Sequence, residues 1–531
     1  MKNILKILLT LIICTAVIIP FSSCSDKTSE ISVAVIKQDT VPDNLTEDEK
    51  NETGEEIIPE SYEPDVESDV TTDTDVTPET DVEVETDIEA DADVKAETDV
   101  EADANNKTED DEKYNFRILT RSDRLSEQCA EQQTGDIIND AVYKRNEAVK
   151  ELFNIDITVT ESYSDNTAEA INQILSGNDK YDIIFPDANT AFDYAVKSVA
   201  VDFNAVSTID TSSEWWAKDI IDSCTVNGHL YVLDGDISMS RYTELHCILF
   251  NKHIFDELGL NYPYETVLDG AWTFDEFTKL SKLATTDLDG NGNIEPSSDI
   301  LGFYTYNSNA PIYALYSGGQ RVYTGSPDGI PSLSVNSAKT VDIFTKLFAF
   351  TQSDSAFMHS GKWDTNSEIF SDGRVMFTDI YSLGEVGRLR NMADEFGILP
   401  LPKFYAEDSY ITPFNDNSSL MIMPITVYDY EATGEIIEAM CRLSSEYVTP
   451  AIFDYILKTK FSRDDESEAM LGIVKNSMVY DIGYLTDSVF GHIGEELAGM
   501  KNPDYFTYYA QNEASAVSEL DDFIKAYGKV G

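Results

Sequence analysis

The alternation of apolar and polar residues changes period along the chain, and these changes predict its first secondary-structure elements. Apolar and polar residues alternate over 114–120, as in a β-strand, and apolar residues recur at helical spacing over 137–153. Strands at 155–159 and 181–185 flank a helix at 168–175. This β-α-β-α-β order predicts an α/β fold with a largely parallel sheet, which binds ligands at the carboxyl ends of its strands.

Short local signals predict further elements toward the C-terminus. Asn227-Gly228 lies between two apolar stretches and predicts a tight hairpin. Thr273 and Glu276 have the spacing of a capping box, and Trp272 and Phe277 have that of a hydrophobic staple, so Trp272 has a structural explanation. The pattern also predicts strands at 247–250, 374–377 and 396–401, helices at 254–258 and 340–350, and a mainly helical part from residue 431 onward.

The first 24 residues have the pattern of a signal peptide. Lys2 and Lys6 precede an apolar run over 7–21, which ends at Ser22-Ser23-Cys24. The Phe-Ser-Ser-Cys ending resembles the bacterial lipobox, in which the cysteine is acylated, so we expect a lipid anchor at Cys24. An uncleaved anchor helix is the alternative. Either way, the remaining chain is expected outside the cytoplasm and attached to the cell membrane.

Residues 25–113 differ from the rest in composition. This segment contains 33 acidic and 6 basic residues in recurring Thr-Asp-Val and Glu-Thr-Asp phrases. It has too little apolar surface to offset its chain entropy, so it is predicted to be a disordered, extended linker. The remainder, 114–531, is also acidic, with a net charge of −36. Such a surface argues against binding to nucleic acid or anionic lipid.

Sequence motifs for catalysis are absent. The histidines show no HExxH spacing, and neither GxSxG nor GxxxxGK[ST] occurs. A glycosidase needs only two carboxylates, and a chain this rich in acidic residues contains such pairs by chance. Their presence therefore does not indicate a glycosidase. The four cysteines of 114–531 lack CxxC spacing, which leaves buried thiols or one disulfide open; they are Cys129, Cys224, Cys247 and Cys441. We therefore expect a protein that is not an enzyme and has no organic cofactor.

Six phrases together resemble bacterial extracellular solute-binding proteins of the large sugar-binding group that serves ABC importers. They are Tyr181-Asp-Ile-Ile-Phe-Pro-Asp, Asn227-Gly-His-Leu-Tyr-Val-Leu, Leu249-Phe-Asn-Lys, Asp269-Gly-Ala-Trp-Thr-Phe-Asp-Glu-Phe, Phe370-Ser-Asp-Gly-Arg-Val-Met-Phe and Phe396-Gly-Ile-Leu-Pro-Leu-Pro-Lys. Each phrase is weak alone, but their order and spacing cover most of 114–500.

The resemblance implies a two-lobed, periplasmic-binding-protein-like (type II) fold that closes on a ligand between its lobes. By analogy, lobe one is expected at about 114–240 and 371–425, and lobe two at about 241–370 and 426–531. The implied function is that of a monomeric receptor, which captures a carbohydrate and hands it to the membrane subunits of an importer. A peptide-binding receptor and a surface adhesin or glycan-binding protein are the alternatives.

Sugar recognition needs flat apolar faces and planar polar groups. Asp187 and Asn189 follow a predicted strand, and aromatic residues occur in several predicted loops. The candidate ligand-binding residues are Asp187, Asn189, Trp215, Trp216, Arg241, Tyr242, Trp363, Asp379 and Tyr381. Two alternatives stay open: the tryptophan pair can wedge between helices, and Arg241 and Asp379 can form ion pairs at the hinge.

The stretch from Asp287 to Glu295 resembles the start of a calcium-binding loop. Oxygen-bearing residues recur at alternate positions, and Gly292 occupies the sixth place, where the chain must turn. Ser298 replaces the usual glutamate at position twelve, so the loop departs from the EF-hand pattern. Related truncated loops imply ligands at Asp287, Asp289, Asn291, the Asn293 carbonyl and Glu295. A structural Ca²⁺ is expected, with a solvated turn as the alternative.

Overall fold

The computed structural model describes residues 113–162, 167–307, 309–325, 329–362, 365–380, 382–458, 465–486, 488–498, 500 and 503–528. Cys24 and the acidic linker up to residue 112 lie outside these described residues, and so do two candidate ligand-binding residues, Trp363 and Tyr381. Among the described helices, none combines the length and apolar character that crossing a membrane requires.

Two larger sheets and two short strand pairs are present in the described part of the chain. Their hydrogen-bonding orders are β2-β1-β3, β10-β4-β9-β5-β8, β11-β12 and β6-β7. The strands are β1 (Asn115–Arg121), β2 (Asp156–Ser162), β3 (Ile183–Phe185), β4 (Cys247–Asn251), β5 (Leu301–Tyr306), β6 (Tyr323–Gly325), β7 (Pro331–Leu333), β8 (Ala356–His359), β9 (Val375–Ile380), β10 (Phe396–Leu399), β11 (Thr412–Pro413) and β12 (Met478–Val479).

Helices surround the sheets. They are α1 (Leu125–Gln128), α2 (Ile137–Phe153), α3 (Thr167–Leu175), α4 (Ala188–Val196), α5 (Lys218–Cys224), α6 (Ser240–Thr243), α7 (Lys252–Glu257), α8 (Tyr264–Leu268), α9 (Phe274–Ala284), α10 (Asn309–Ser317), α11 (Ala338–Thr351), α12 (Thr365–Ser371), α13 (Tyr430–Lys458), α14 (Asp465–Asn476), α15 (Ile482–Leu485), α16 (Ile493–Ala498) and α17 (Tyr505–Tyr527). Three 3₁₀ segments add Ser122–Arg124, Phe203–Ala205 and Leu383–Asn391.

The first sheet confirms the predicted β-α-β-α-β start. β1 pairs in parallel with both β2 and β3, and Ile118 lies opposite Val159 and Ile183. The Asp136 carboxylate caps α2 by accepting the backbone N–H groups of residues 138 and 139, and Asn154 ends α2 in the left-handed conformation. Helix α13 packs against α2, although the sequence analysis grouped 426–531 with the other lobe.

The second sheet mixes strand directions. β4 runs antiparallel to β9 and β10, whereas β5 runs parallel to β8 and β9. β9 and β10 therefore share a sheet with β4 and β5, which differs from the predicted grouping of 371–425 with the first lobe. The physical reason is that strand pairing joins distant segments, and an apolar run does not identify its partner. The exact lobe boundaries stay a prediction.

Two local predictions are confirmed. Val226 and His229 form a bridge around Asn227-Gly228, both of which have positive φ as a tight hairpin turn requires. Thr273 caps α9 through the Glu276 N–H, and the Trp272 ring packs edge-on against Phe277 at 5.9 Å. The Trp272 indole also donates to the Pro400 carbonyl at 2.9 Å, so its role is structural.

The described cysteines are thiols. Cys129 is partly exposed, and Cys224, Cys247 and Cys441 are buried. Burial raises the pKa of each buried thiol, because the apolar surroundings disfavour the thiolate. Of the two alternatives left open by the sequence, the structure therefore favours buried, inert thiols.

Candidate functional site

The carboxyl edge of the first sheet carries the candidate site. Met421 bridges to Leu233, and its neighbour Ile422 bridges to Ile184 of β3, both in antiparallel fashion. The segment that contains Leu233 therefore runs parallel to β3, so Asp234 and the residues that follow it leave the sheet at its carboxyl edge. This is the edge at which parallel α/β sheets bind ligands.

A cleft of about 620 Å³ opens at this edge. One side is formed by residues that follow the first sheet and by Phe453 of α13. The other side is formed by the segment from Lys475 to Tyr480, which continues from α14. Because α14 packs against β10 of the second sheet, the cleft lies between the two sheet systems. Its volume is in the range of small-molecule sites.

Asp236, Arg241 and Tyr242 form the inner wall of the cleft. The Asp236 carboxylate accepts a hydrogen bond from Arg241 Nη1 at 3.1 Å and another from the Tyr242 hydroxyl at 2.5 Å. The Arg241 guanidinium also lies over the Tyr242 ring, 5.1 Å from its centre. Arg241 and Asp236 keep only 15% and 8% of their side-chain surface exposed, so this ion pair is largely shielded from water.

Lys475 and Tyr480 contact the residues of the same wall. Lys475 Nζ lies 5.0 Å from the centre of the Tyr242 ring and 5.1 Å from that of Phe453. The Tyr480 hydroxyl donates to Asp234 Oδ2 at 2.5 Å. The face of Tyr242 is therefore covered by cations, and the aromatic surface that remains partly exposed in the cleft belongs to Phe453.

Burial shifts the pKa values of the charged groups around the cleft. It raises the pKa of Asp234 to about 7, because that carboxyl is removed from water and Arg241 only partly offsets the cost. It lowers the pKa of Lys475, a shift that Asp236 opposes and Arg241 reinforces. The inner cleft thus holds charged groups whose solvation by water is incomplete.

The tryptophan pair lies beside the cleft and is held by one carboxylate. The indole N–H groups of Trp215 and Trp216 donate to the two oxygens of Glu438 on α13, at 2.9 and 2.8 Å. Trp216 lines the cleft but is only 2% exposed, and Trp215 is partly buried. Their arrangement corresponds to the wedge alternative, because both polar atoms are used within the protein.

A second cavity of about 350 Å³ contains two other candidates, Asp187 and Asn189. Asp187 caps α4 by accepting the N–H and the hydroxyl of Thr190, both at 2.9 Å, so one of its roles is structural. Asn417 also lines this cavity and accepts two hydrogen bonds from Arg121, each at 2.8 Å. The structure therefore divides the predicted ligand-binding residues between two cavities.

Asp379 lies in neither of these cavities. It is fully buried at the end of β9 and accepts hydrogen bonds from the side-chain amides of Asn309 and Asn366, both at 2.9 Å. Burial raises its pKa to about 6. Its side-chain partners among the described residues are two amides and the Thr305 hydroxyl, so this part of the chain does not contain the hinge ion pair considered for Asp379. Among the predicted residues, the structure brings together Trp216, Arg241 and Tyr242 in the larger cleft.

A family model described as bacterial extracellular solute-binding protein matches residues 144–446, more than half of the chain. The chain belongs to this family. The comparison with curated proteins finds no match to this solute-binding protein.

Solved structures support the fold. UspC of M. tuberculosis has a TM-score of 0.54 at 13% identity and covers 76% of this chain and 99% of its own. A cyclo/maltodextrin-binding protein complexed with maltotetraose has a TM-score of 0.52 at 13% identity, and the match covers 79% of this chain and 98% of that protein. UgpB of M. tuberculosis in complex with glycerophosphocholine has a TM-score of 0.50 at 14% identity, and the match covers 78% of this chain and 99% of that protein. These likenesses confirm the predicted two-lobed α/β fold of this solute-binding protein.

The predicted calcium loop forms a compact turn in the solute-binding protein. Asp287 accepts the N–H groups of Gly290 and Gly292, at 2.7 and 2.8 Å. Carboxylate oxygens of Asp287, Asp289 and Asp299 lie within 4.8 Å of one another. Asp299 is buried, and backbone N–H donors keep its pKa below the usual range. This set of hard oxygen donors fits Ca²⁺ and includes a residue that the sequence analysis did not select.

Sequence analysis missed several residues of the cleft. Asp234 and Asp236 directly follow an apolar run over 230–233, so the rule for strand ends could have found them. Phe453 and Lys475 lie in helical segments far along the chain, and no local pattern indicates that they reach this edge. Their positions depend on how α13 and α14 pack.

Proposed function

We propose that this solute-binding protein captures a carbohydrate, most simply an oligosaccharide, and delivers it to an ABC importer. The observation that carries the proposal is the cleft of about 620 Å³ at the carboxyl edge of the first sheet. Membership of the extracellular solute-binding family supports a role in capture, and a similar fold is complexed with maltotetraose. Closure of the lobes over the ligand would produce the form that docks on the importer.

The lining of the cleft suits a hydroxyl-rich molecule. Phe453 offers a partly exposed aromatic surface, and Ser445 and Asn476 offer a hydroxyl and an amide group. Rings of this kind pack against the C–H faces of sugars, while planar and hydroxyl groups satisfy the sugar hydroxyls. A peptide would instead require charged anchors for both of its ends.

Calorimetric titration with neutral oligosaccharides, uronate oligosaccharides and short peptides tests the proposal. We expect a saccharide to bind and to raise the melting temperature, because a ligand that binds only the folded state stabilises it. Phe453→Ala should weaken binding about tenfold, and the 70% exposed Phe506 offers a matched control, Phe506→Ala. Binding of peptides alone would overturn the carbohydrate assignment. Release of reducing ends from the saccharide would indicate a hydrolase instead.

We also propose that acylated Cys24 anchors the protein and that the acidic segment spaces the receptor from the membrane. Cys24→Ser expressed in a bacterial host should move the protein from the membrane fraction to the soluble fraction. Cys129→Ser, which changes a partly exposed cysteine of the described domain, should stay with the membrane. Unchanged membrane association of Cys24→Ser would favour an uncleaved helix as the anchor.

A structural Ca²⁺ at the loop that contains Asp287, Asp289 and Asp299 is the last part of the proposal. The ion would be held by carboxylate oxygens and would fix the turn between α9 and β5. We expect calcium to raise the melting temperature and Asp289→Asn to reduce that rise. The exposed Asp269 provides a control outside the loop, Asp269→Asn. Equal responses of both variants to calcium would contradict the site.

A further inference from the structure

The inner part of the cleft contains two cations with donor capacity that the protein does not use. Arg241 Nε is buried without a hydrogen-bond partner, and the one hydrogen bond of this guanidinium within the described residues is the Nη1 contact with Asp236. Lys475 Nζ has ring contacts but no hydrogen bond or ion pair within the same residues. A buried donor without a partner, such as Arg241 Nε, is costly, and the partly exposed Lys475 ammonium is free to donate to a ligand as well.

Both cations line the same cleft, so a ligand in it can reach each of them. Each is about 5 Å from the centre of the Tyr242 ring, so they lie within about 10 Å of each other. Two like charges in a partly shielded site repel each other, and Arg241 indeed contributes to the lowered pKa of Lys475. Asp236 offsets part of this repulsion, and an anionic group of a ligand in the cleft would offset more of it and supply further acceptors.

The acidic residues of the cleft do not fulfil that role. Asp236 already accepts hydrogen bonds from Arg241 and Tyr242. Asp234 lies behind the wall and accepts the Tyr480 hydroxyl, and its pKa of about 7 leaves it partly protonated near neutral pH. The remaining charged lining residues, Glu214, Lys218 and Asp219, have exposed side chains, although partial desolvation raises the pKa of the Asp219 carboxyl. The group formed by Asp236, Arg241 and Lys475 therefore has two cations against one carboxylate, although the chain as a whole is acidic.

We propose that the solute is an acidic saccharide, whose carboxylate binds between Arg241 and Lys475 while its sugar ring packs near Phe453. This inference rests on the proposed carbohydrate function and specifies its substrate class. The planar guanidinium matches the planar geometry of a carboxylate, and Lys475 adds a compact charge with three rotatable donors. A uronate-containing oligosaccharide combines this anion with the hydroxyl groups that the rest of the lining can satisfy.

Carboxyl reduction provides a matched pair of ligands for the test. Oligogalacturonides of two to four residues are compared by calorimetry with the same chains after each carboxylate has been reduced to a primary alcohol. We expect the acidic chains to bind about tenfold or more tightly than the reduced ones, because charge-assisted hydrogen bonds are lost on reduction. Hexose 6-phosphates form a third arm, and their binding in preference to the uronates would overturn the carboxylate assignment.

Variants locate the effect in the cleft. Lys475→Gln should weaken uronate binding about tenfold and leave binding of reduced chains within about twofold, whereas Lys282→Gln on the exposed face of α9, outside the cleft, should change neither. Arg241→Gln is the second variant, with its melting temperature recorded because Asp236 would lose a partner. Equal affinity of wild-type protein for acidic and reduced chains would overturn the inference and leave the carbohydrate function standing. Binding of peptides and of no saccharide would overturn both.

Discussion

The tryptophan pair at 215–216 and the cation pair Arg241 and Lys475 lie at the same cleft but differ in how their polar atoms are satisfied. Each indole N–H has a carboxylate oxygen of Glu438 within 2.9 Å. Lys475 has no such partner among the described residues, and Arg241 retains a buried Nε without one. The first pair is therefore completed by the fold, while the second pair keeps donors that the proposed ligand would use.

This comparison separates residues that build the cleft from residues that can bind a solute. Aromatic side chains dominated the sequence-based choice of ligand contacts, yet Trp216 is only 2% exposed and cations cover the Tyr242 face. Hydrogen-bond satisfaction distinguishes the two roles better than residue type does. Loss of the contacts of the tryptophan pair should therefore lower the free energy of unfolding, whereas substitution of the cation pair should lower the affinity for the solute.

Removal of Glu438 should have the largest effect on stability. Glu438→Ala leaves both indole N–H groups without their acceptor, and we expect the free energy of unfolding to fall by about 2 kcal/mol. Urea denaturation followed by tryptophan fluorescence measures this change. Glu435→Ala, on an exposed face of the same helix, should cost about 0.5 kcal/mol or less. Equal losses for the two variants would remove the structural role assigned to the pair.

Asp234→Asn should change how stability depends on pH. Because burial raises the pKa of Asp234 to about 7, the folded protein holds a proton that the unfolded chain, with a pKa near its ordinary value of about 4, has released. The contribution of this group is thus fully present below about pH 4 and is lost as the pH rises to about 7. The variant should lack this fall and exceed the wild type at pH 8 by on the order of 2 kcal/mol.

Denaturation curves of both proteins between pH 4 and pH 8 provide the measurement. The difference between them isolates Asp234 from Glu127 and Asp379, whose pKa values burial also raises. Parallel curves would show that Asp234 is ionised throughout this range. The asparagine keeps an oxygen acceptor for the Tyr480 hydroxyl, so that contact can persist.

Lys475→Met should have the smallest effect on the unliganded protein. Lys475 is partly buried, has no ion pair among the described residues and packs on Tyr242 and Phe453, so an unbranched apolar side chain can replace it. We expect the free energy of unfolding to change by about 0.5 kcal/mol or less, or to increase. Urea denaturation checks this expectation, and a loss of more than about 2 kcal/mol would make Lys475 a structural residue.

Local patterns predicted much of the fold. Helix α2 has the bounds of its apolar periodicity, and the parallel pairing of β1 with β2 and β3 follows from the order of elements. The turn at Asn227-Gly228 and the cap at Thr273 depend on a few neighbouring residues, so a sequence window contains all the information they require. The pairing of β9 and β10 with β4 and β5 lies outside any such window.

The candidate site was predicted in part for the same reason. Arg241 was selected because it lies near an expected crossing between lobes and Tyr242 because it is an aromatic residue in a predicted loop, and both line the cleft. The fit of Glu438 between two indoles and the approach of Lys475 to Tyr242 each join residues more than 200 positions apart. Asp299 joins the oxygen cluster of the loop because the turn folds back, whereas spacing pointed to Glu295.

The sequence by itself determined the α/β class, the first parallel sheet, the family resemblance and the presence of a polar, aromatic-rich cleft region, because each depends on periodicity or on short segments. Only the tertiary structure decided which polar groups of the cleft have hydrogen-bond partners within the protein. Hydrogen-bond partners and burial come from helices α13 and α14, which reach the cleft from distant parts of the chain. Whether a polar side chain supports the fold or faces a ligand depends on these partners, since an unpaired buried group is stable only when something else completes it.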